Sequence, residues 1–393
     1  MKKIMLALAV SACCTTAASA EDIKIGVILG FTGPIESLTP AMGASAELAM
    51  QEVTDSGKLL DGSKVESVRG DSTCVDSAAA TAAAERLVTA DNVNAIMGAD
   101  CSGVTGAILQ NVARPNGVVM VSPSATSPAL STAEDDDLFF RTAPSDARQG
   151  QVIADILNDK GIKSVALTYT NNDYGKGLAD SIQSNFEAGG GEITISAAHE
   201  DGKGDYSAEV GALAQAGGEV LIVAGYLDQG GKGVIQASLD TGAFDTFVLP
   251  DGMIGDSLPV AIGDALNGSF GTVPGTDSEG AEIFDKLAKD AGIAPDAFSA
   301  ESYDAAALIM LAMQAAGSTD SNDFKAKVMD VANAPGEEIL PGELGKALEI
   351  LAGGGEIDYV GATAVELVGA GESAGNYREI LVEDGKNTTA KFR

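Results

Sequence analysis

Two short loops carry most of the hydroxyl chemistry of this chain. Asp100, Cys101, Ser102 and Gly103 follow the apolar run Asn94 to Gly98, and Ser122 to Ser127 follow Gly117 to Val121. Each loop comes at the end of a strand-like segment and leads to a helix or bend. Hydroxyls and free backbone N–H groups at such strand ends make a seat for a small anion such as a carboxylate. Serine and threonine are also ordinary loop formers and helix caps, so the residue types alone do not separate binding from local structure.

The elements that would position these loops follow from composition and periodicity. At 393 residues the chain exceeds one ordinary core, and two lobes are expected. Hydrophobic residues make up 45% and aromatics only 5%, with no Trp and abundant Gly and Ala, which fits close-packed α/β layers better than an aromatic-rich sandwich. The formal net charge of −33 argues against nucleic acid and anionic membrane surfaces as partners.

The amino terminus reads as an export signal over residues 1–20: Lys2 and Lys3, an apolar run from Ile4, and Ala18-Ser19-Ala20 before Glu21. Its removal would take the net charge from −33 to −35. A competing reading makes Cys13 a lipid-anchored residue after Val10-Ser11-Ala12. With the signal removed, Cys13 and Cys14 leave and only Cys74 and Cys101 remain, an even pair in an oxidising compartment, and a bridge between them is expected to contribute about 3 kcal/mol. Two buried free thiols are the alternative. Two cysteines and the distant His199 do not make a metal set, so no metal or cofactor is expected.

From Ile23 the chain alternates strands and helices. Strands are expected at 23–29, 64–69, 94–98 and 117–121, with helices at 40–55, 76–89 and after Gly103. The pattern restarts after the strand or link at 139–144. Helices at 146–158, 174–188, 207–216 and 230–240 interleave there with strands at 164–170, 192–196, 219–225 and 246–249. Beyond Pro274 helices dominate, and strand character returns at 357–360, 364–368 and 377–383. The fold class is therefore α/β, with two doubly wound parallel-sheet lobes. Crossovers near residues 143, 274 and 376 divide the chain into lobe 1 (21–143 plus 275–375) and lobe 2 (144–274 plus 376–393), joined by a hinge around a cleft.

At this point the motifs carry a resemblance. IKIGVILGFTGP, GDSTC with GADCS, VSPSATSP, FRTAPSDARQG, NDYGKGLADSI, VAGY, LPDG and SYDAA run in the order found in periplasmic solute-binding proteins of the branched-chain amino acid type. The likeness covers essentially the whole mature chain. It implies a type I periplasmic binding fold and a receptor that delivers its solute to the permease subunits of an ABC importer. It further implies that Ser102, Ser124 and Thr126 bind the ligand's carboxylate and amino group. Asp251 stands where the family usually has a glutamate for the α-ammonium, and Tyr174 and Tyr226 would close over the ligand. Phe298 falls at the aromatic wall of the side-chain pocket. A monomeric protein capturing an amino acid or amide-like solute is expected.

Two departures concern the ligand's side chain. Asp100 replaces an apolar residue before the cysteine, and Glu36-Ser37-Leu38 replaces an aromatic in the first loop. Facing the pocket, Asp100 and Glu36 would fit a polar or cationic side chain better than leucine. A periplasmic enzyme acting on a small amino or amide compound is the alternative class. It has little support: His199 lies in a polar stretch that reads as surface, and no G-x-S-x-G elbow, G-K-[ST] phosphate loop or G-x-G-x-x-G fingerprint occurs where such chemistry needs it.

Overall fold

A computed structural model describes residues 22–393, so the expected export signal lies outside the described residues. The chain opens with β1 (Asp22–Leu29), α1 (Thr39–Ser56), β2 (Lys64–Asp71), α2 (Ser77–Thr89), β3 (Ala95–Gly98) and α3 (Ser102–Ile108). A π turn and α4 (Arg114–Asn116) lead to β4 (Met120–Ser122) and β5 (Phe139–Pro144). Local chemistry sets these boundaries. Asp76 caps α2 by accepting from the N–H groups of Ala78 and Ala79, and Gly57 ends α1 in the left-handed region at φ 62°.

Next come α5 (Asp146–Asp159), β6 (Ser164–Thr170), α6 (Asp173–Ala188), β7 (Glu192–His199), α7 (Ser207–Ala216), β8 (Val220–Ala224) and α8 (Gly230–Thr241). They are followed by β9 (Phe247–Leu249), α9 (Ser257–Ile262) and β10 (Phe270–Pro274). The helical stretch is α10 (Glu279–Asp290), α11 (Ser299–Ala316) and α12 (Ser321–Ala332). The chain closes with β11 (Glu337–Ile339), α13 (Leu344–Ala352), β12 (Ile357–Tyr359), β13 (Leu367–Val368), β14 (Glu372–Ser373), β15 (Tyr377–Glu383) and β16 (Lys386–Phe392).

Two seven-stranded mixed sheets result, in the orders β13-β14-β5-β4-β3-β1-β2 and β16-β15-β10-β9-β8-β6-β7. The central strands of both run parallel, with Ile25 to Ile28 of β1 registered on Ala95 to Gly98 of β3. This is the α/β architecture of two wound lobes that the alternation implies. The chain leaves the first sheet after β5, leaves the second after β10, and passes back between β14 and β15. Helices α11 and α1 pack on each other, and α11 also meets β3, β4 and β5, so the late helices complete the first unit.

Several elements differ from expectation. The strand expected at 117–121 starts only at Met120, because Gly117 at φ 65° ends α4 and the Val118 N–H still bonds to Ala113. β10 and β16 were not expected. β16 reads Lys-Asn-Thr-Thr-Ala-Lys-Phe, largely polar, and pairs only with β15 at the sheet edge, so no buried face leaves an alternating signal. β7 runs to His199 rather than stopping at 196. That carries the histidine into the interior, 1% exposed, where its Nδ1 meets the Thr168 hydroxyl at 2.9 Å. Burial holds its pKa down at about 4, so His199 is a neutral core residue rather than a surface one.

Cys74 and Cys101 form a disulfide across 27 positions of sequence, joining the loop after β2 to the start of α3. Replacing both by serine should lower stability by about 3 kcal/mol on the chain-entropy estimate, read as a lower urea midpoint against the oxidised protein.

Candidate ligand-binding site

Parallel strands of both sheets end towards one cleft. Gly98 of β3 and Ser122 of β4 lead into the hydroxyl loops, while Thr170, Ala224 and Leu249 of the second sheet lead to Tyr174, Tyr226 and Asp251. Between them lies a small cavity, almost closed by its own side chains. Its wall brings together Asp100, Ser102, Ser124, Tyr174, Tyr226, Asp251 and Phe298. Ile35, Leu38 and Gly252 also line it and were not singled out from the sequence; the two aliphatics give no signal beyond ordinary loop composition.

The first-unit loops are fixed by hydrogen bonds that leave their donors pointing in defined directions. Ser102 at the first turn of α3 accepts from the Ser127 N–H at 3.0 Å, and the Ser124 hydroxyl donates to the Asp100 carbonyl at 3.1 Å. Behind them Arg141, fully buried, donates to the carbonyls of Ala125 and Ser127 at 3.0 Å each. Thr126 is buried behind this surface and is not part of the cavity wall. Its hydroxyl faces the Asp146 carboxyl without closing a well-formed hydrogen bond.

The structure places Asp100 in the cavity wall and Glu36 outside it. Asp100 borders the cavity, but its carboxylate accepts from the Gly30 N–H at 2.6 Å, the Ser72 hydroxyl at 3.0 Å and the Cys101 N–H at 3.0 Å. It ties the ends of β1, β2 and β3 together. Glu36 is exposed, accepts from the Gly33 N–H at 3.3 Å within its own turn, and does not line the cavity. The loop contributes Ile35 and Leu38 to the wall instead, which makes that side apolar.

On the facing unit, Tyr174 and Tyr226 stack with ring centres 5.2 Å apart. The Tyr174 hydroxyl donates to Asp251 Oδ1 at 2.6 Å, and the Gly252 N–H donates to the same oxygen at 2.8 Å. Asp251 Oδ2 is buried with no partner. Burial raises the Asp251 pKa to about 6, opposed by the bonds from Tyr174, Gly252 and Gln149.

A second buried acid stands close by, and the sequence reading passed it over. Asp146 is the first residue of α5, and its carboxyl is held well above the ordinary range, first by burial and then by the charge of Asp251, with Thr126 and Arg141 opposing. The Gln149 amide bridges the two acids, its NH2 donating to Asp146 Oδ1 at 3.1 Å and to Asp251 Oδ1 at 3.3 Å. Asp146 Oδ2 and the Tyr377 hydroxyl are also buried without partners. An aspartate one position after a serine at a helix start reads as capping, which hides this role in the sequence.

The two units touch directly beside the cavity. Asp228 accepts from the Ser37 N–H at 2.9 Å and from the Ser257 hydroxyl at 2.8 Å, while its own N–H donates to the Pro34 carbonyl at 3.0 Å. The site is therefore a closed clamp of neutral donors facing a buried carboxylate, suited to a small molecule with a carboxylate beside an ammonium.

A family profile described as periplasmic binding protein matches residues 22–340. The chain belongs to that family. Leu/Ile/Val-binding protein homolog 1 of Brucella melitensis is 32% identical over 313 residues, covering 78% of this chain and 82% of that protein. Among solved structures, a leucine binding protein from Thermotoga maritima superposes with a TM-score of 0.78 at 23% identity, covering 94% of this chain and 98% of that one. A branched-chain amino acid transporter substrate binding protein from Streptococcus pneumoniae, solved with isoleucine, also gives 0.78 at 23% identity, covering 95% and 99%. The type I periplasmic binding fold is thus established for this binding protein. Its family consists of extracytoplasmic receptors of ABC importers, not enzymes.

Two outcomes follow for the binding protein. An ammonium beside Asp251 favours its ionised form, so binding of an α-amino ligand should expel a proton near pH 6. Affinity should fall as the pH drops from 7 to 5, by up to about tenfold per unit for one proton. Calorimetry in buffers of different ionisation enthalpy reads that proton directly. The sign is opposite for the ligand-free fold: a carboxyl raised from 3.8 to about 6 makes it lose stability as pH climbs through that window. Asp228→Ala, away from the cavity wall, should weaken binding about fivefold by releasing the interlobe bonds, with small-angle scattering showing a larger radius of gyration.

Proposed function

We propose that this receptor captures a free α-amino acid in the closed cleft and presents the closed form to ABC permease subunits. The observation that supports this most is the juxtaposition of neutral hydroxyl and N–H donors on one wall with a half-unpaired buried carboxylate, Asp251, on the other. In this reading Ser102 and Ser124 receive the ligand's carboxylate, Asp251 receives its ammonium, and Tyr174 and Tyr226 cover it. Thr126 assists from behind through Asp146. The Leu/Ile/Val-binding relative and the isoleucine-bound neighbour favour an aliphatic amino acid as one ligand, and the apolar wall of Ile35, Leu38 and Phe298 accommodates such a side chain.

The lobes in this reading are residues 21–143 with 275–375, and 144–274 with 376–393, moving about the crossovers between them. The protein is exported through a signal at residues 1–20, cleaved before Glu21, and works as a monomer in the periplasm.

A thermal-shift screen over amino acids, amides, urea and polyamines identifies the ligand class. Asp251→Ala should then weaken an α-amino ligand by about 2 kcal/mol or more, because it leaves a desolvated ammonium unpaired. An unchanged dissociation constant by calorimetry removes Asp251 from the site, and a screen in which only non-amino solutes stabilise the protein removes the amino acid.

A further inference from the structure

Phe298 has a cavity on each side. One face of its surroundings is the central cavity, and the other is a second interlobe cavity enclosing about 1400 Å3, part of it open to solvent, against about 310 Å3 for the first measured alike. Its backbone sits in the left-handed region, φ 63° and ψ 8°, just ahead of α11. That conformation is uncommon for a bulky residue and costs energy that the surrounding packing must hold. A strained aromatic is thus the partition between two spaces.

The second cavity is lined from both units. Phe284 and Pro295 approach from the first unit, and Ile254, Ile380 and Phe392 from the second. Its polar lining is heavily one-sided. Asp256, Asp277, Glu282, Asp285, Asp296 and Glu301 border it, opposed by the single guanidinium of Arg378. Among the described residues the Arg378 guanidinium makes no hydrogen bond or ion pair, so it neutralises the lining only at a distance.

Glu301 is the informative member. It lies in the first turn of α11, three residues after Phe298, and is 3% exposed. Its carboxyl accepts from its own N–H and from no other residue. Burial pushes its pKa up to about 8, the charge of Asp304 adds to that, and Arg378 and its own N–H only partly offset it. Two other buried acids are well supplied with donors. Asp100 has three donors from other groups, and Asp304 holds the Tyr359 hydroxyl, the Thr363 hydroxyl and the N–H groups of Ala362 and Thr363. A buried carboxyl held only by its own N–H, bordering a cavity lined by carboxylates, is matched by a cation.

We propose that this second cavity is an extension of the ligand site, entered past Phe298, that takes the ammonium or guanidinium end of a long side chain while the amino-acid head stays between Ser102 and Asp251. This rests on the amino-acid capture proposed above. It makes Phe298 and Glu301 the residues that decide between short aliphatic and long cationic ligands. Aliphatic side chains stop at the Phe298 ring, and cationic ones displace it and reach Glu301.

The test is calorimetry on the full chain with L-leucine, L-lysine and L-arginine. Glu301→Gln keeps the shape and removes the carboxyl that a bound cation would ionise; it should weaken lysine and arginine about tenfold or more while leaving leucine within about twofold, and Glu301→Asp should restore part of the loss. Arg378→Ala removes the opposing cation from a half-buried position and should act in the other direction, strengthening lysine and arginine relative to leucine. Retained leucine binding shows that each variant folds; should Glu301→Gln fail to fold, the opposite-signed Arg378→Ala decides alone. Equal changes for all three ligands in these variants overturn the extension, as does wild-type protein that binds leucine but neither cationic amino acid, and both outcomes leave amino-acid capture standing. If none of the three binds the wild type, the capture reading itself falls and the extension with it.

Discussion

A carboxylate shut between two lobes with one oxygen uncompensated is the constraint around which this receptor is arranged. Asp251 sits on the second unit, deep enough that ionisation is costly, and Asp146 beside it makes that cost larger. Tyr174, Gly252 and Gln149 satisfy one oxygen and fix its direction, leaving the other buried without a partner. Closure therefore carries an electrostatic penalty that a cationic group relieves, which couples capture to the closed shape without any contact needing to break and reform elsewhere. The opposite wall holds no permanent charge available to the ligand. It offers hydroxyls and helix-start N–H groups, which in the proposed reading would receive a carboxylate without pairing internally with Asp251.

Rigidity of that opposite wall comes from polar groups that face inward. Asp100 gathers three donors from the ends of adjacent strands, Arg141 holds the second loop from behind, and the Cys74–Cys101 bridge fastens the first. These charges look like ligand-binding groups in a linear sequence because type and neighbourhood are the same. Their roles differ only in where the carboxylate or guanidinium finds its partners. His199 shows the same principle, since a strand three residues longer than its apolar pattern turns a polar surface residue into a neutral interior one.

The alternation of strands and helices, the two wound sheets and the cluster of Ser102, Ser124, Tyr174, Tyr226, Asp251 and Phe298 were legible from periodicity and from motif order. The edge strand Lys386–Phe392 was not, because a mostly exposed strand needs no apolar face. Asp146 was hidden behind its resemblance to an ordinary helix-start aspartate, and Glu301 behind the polar character of the turn that carries it. Both become visible only through burial and missing partners, which are properties of the assembled fold. Where Asp100 and Glu36 turn was not legible either: Asp100 is held by donors from the ends of distant strands, and Glu36 by the Gly33 N–H of its own turn.

Arg141 also donates to the Ser131 hydroxyl at 2.7 Å and pairs with Glu372 of β14, 231 positions further along the chain. The backbone of the second hydroxyl loop thus takes its final shape only when a segment from the last tenth of the polypeptide has arrived. A nascent chain emerging amino end first can assemble the central strands early, yet the ligand seat stays unfinished until almost the whole polymer is available. Competence for the solute is consequently a late event in maturation, so a truncated product would lack affinity rather than hold the solute in an unproductive half-clamp.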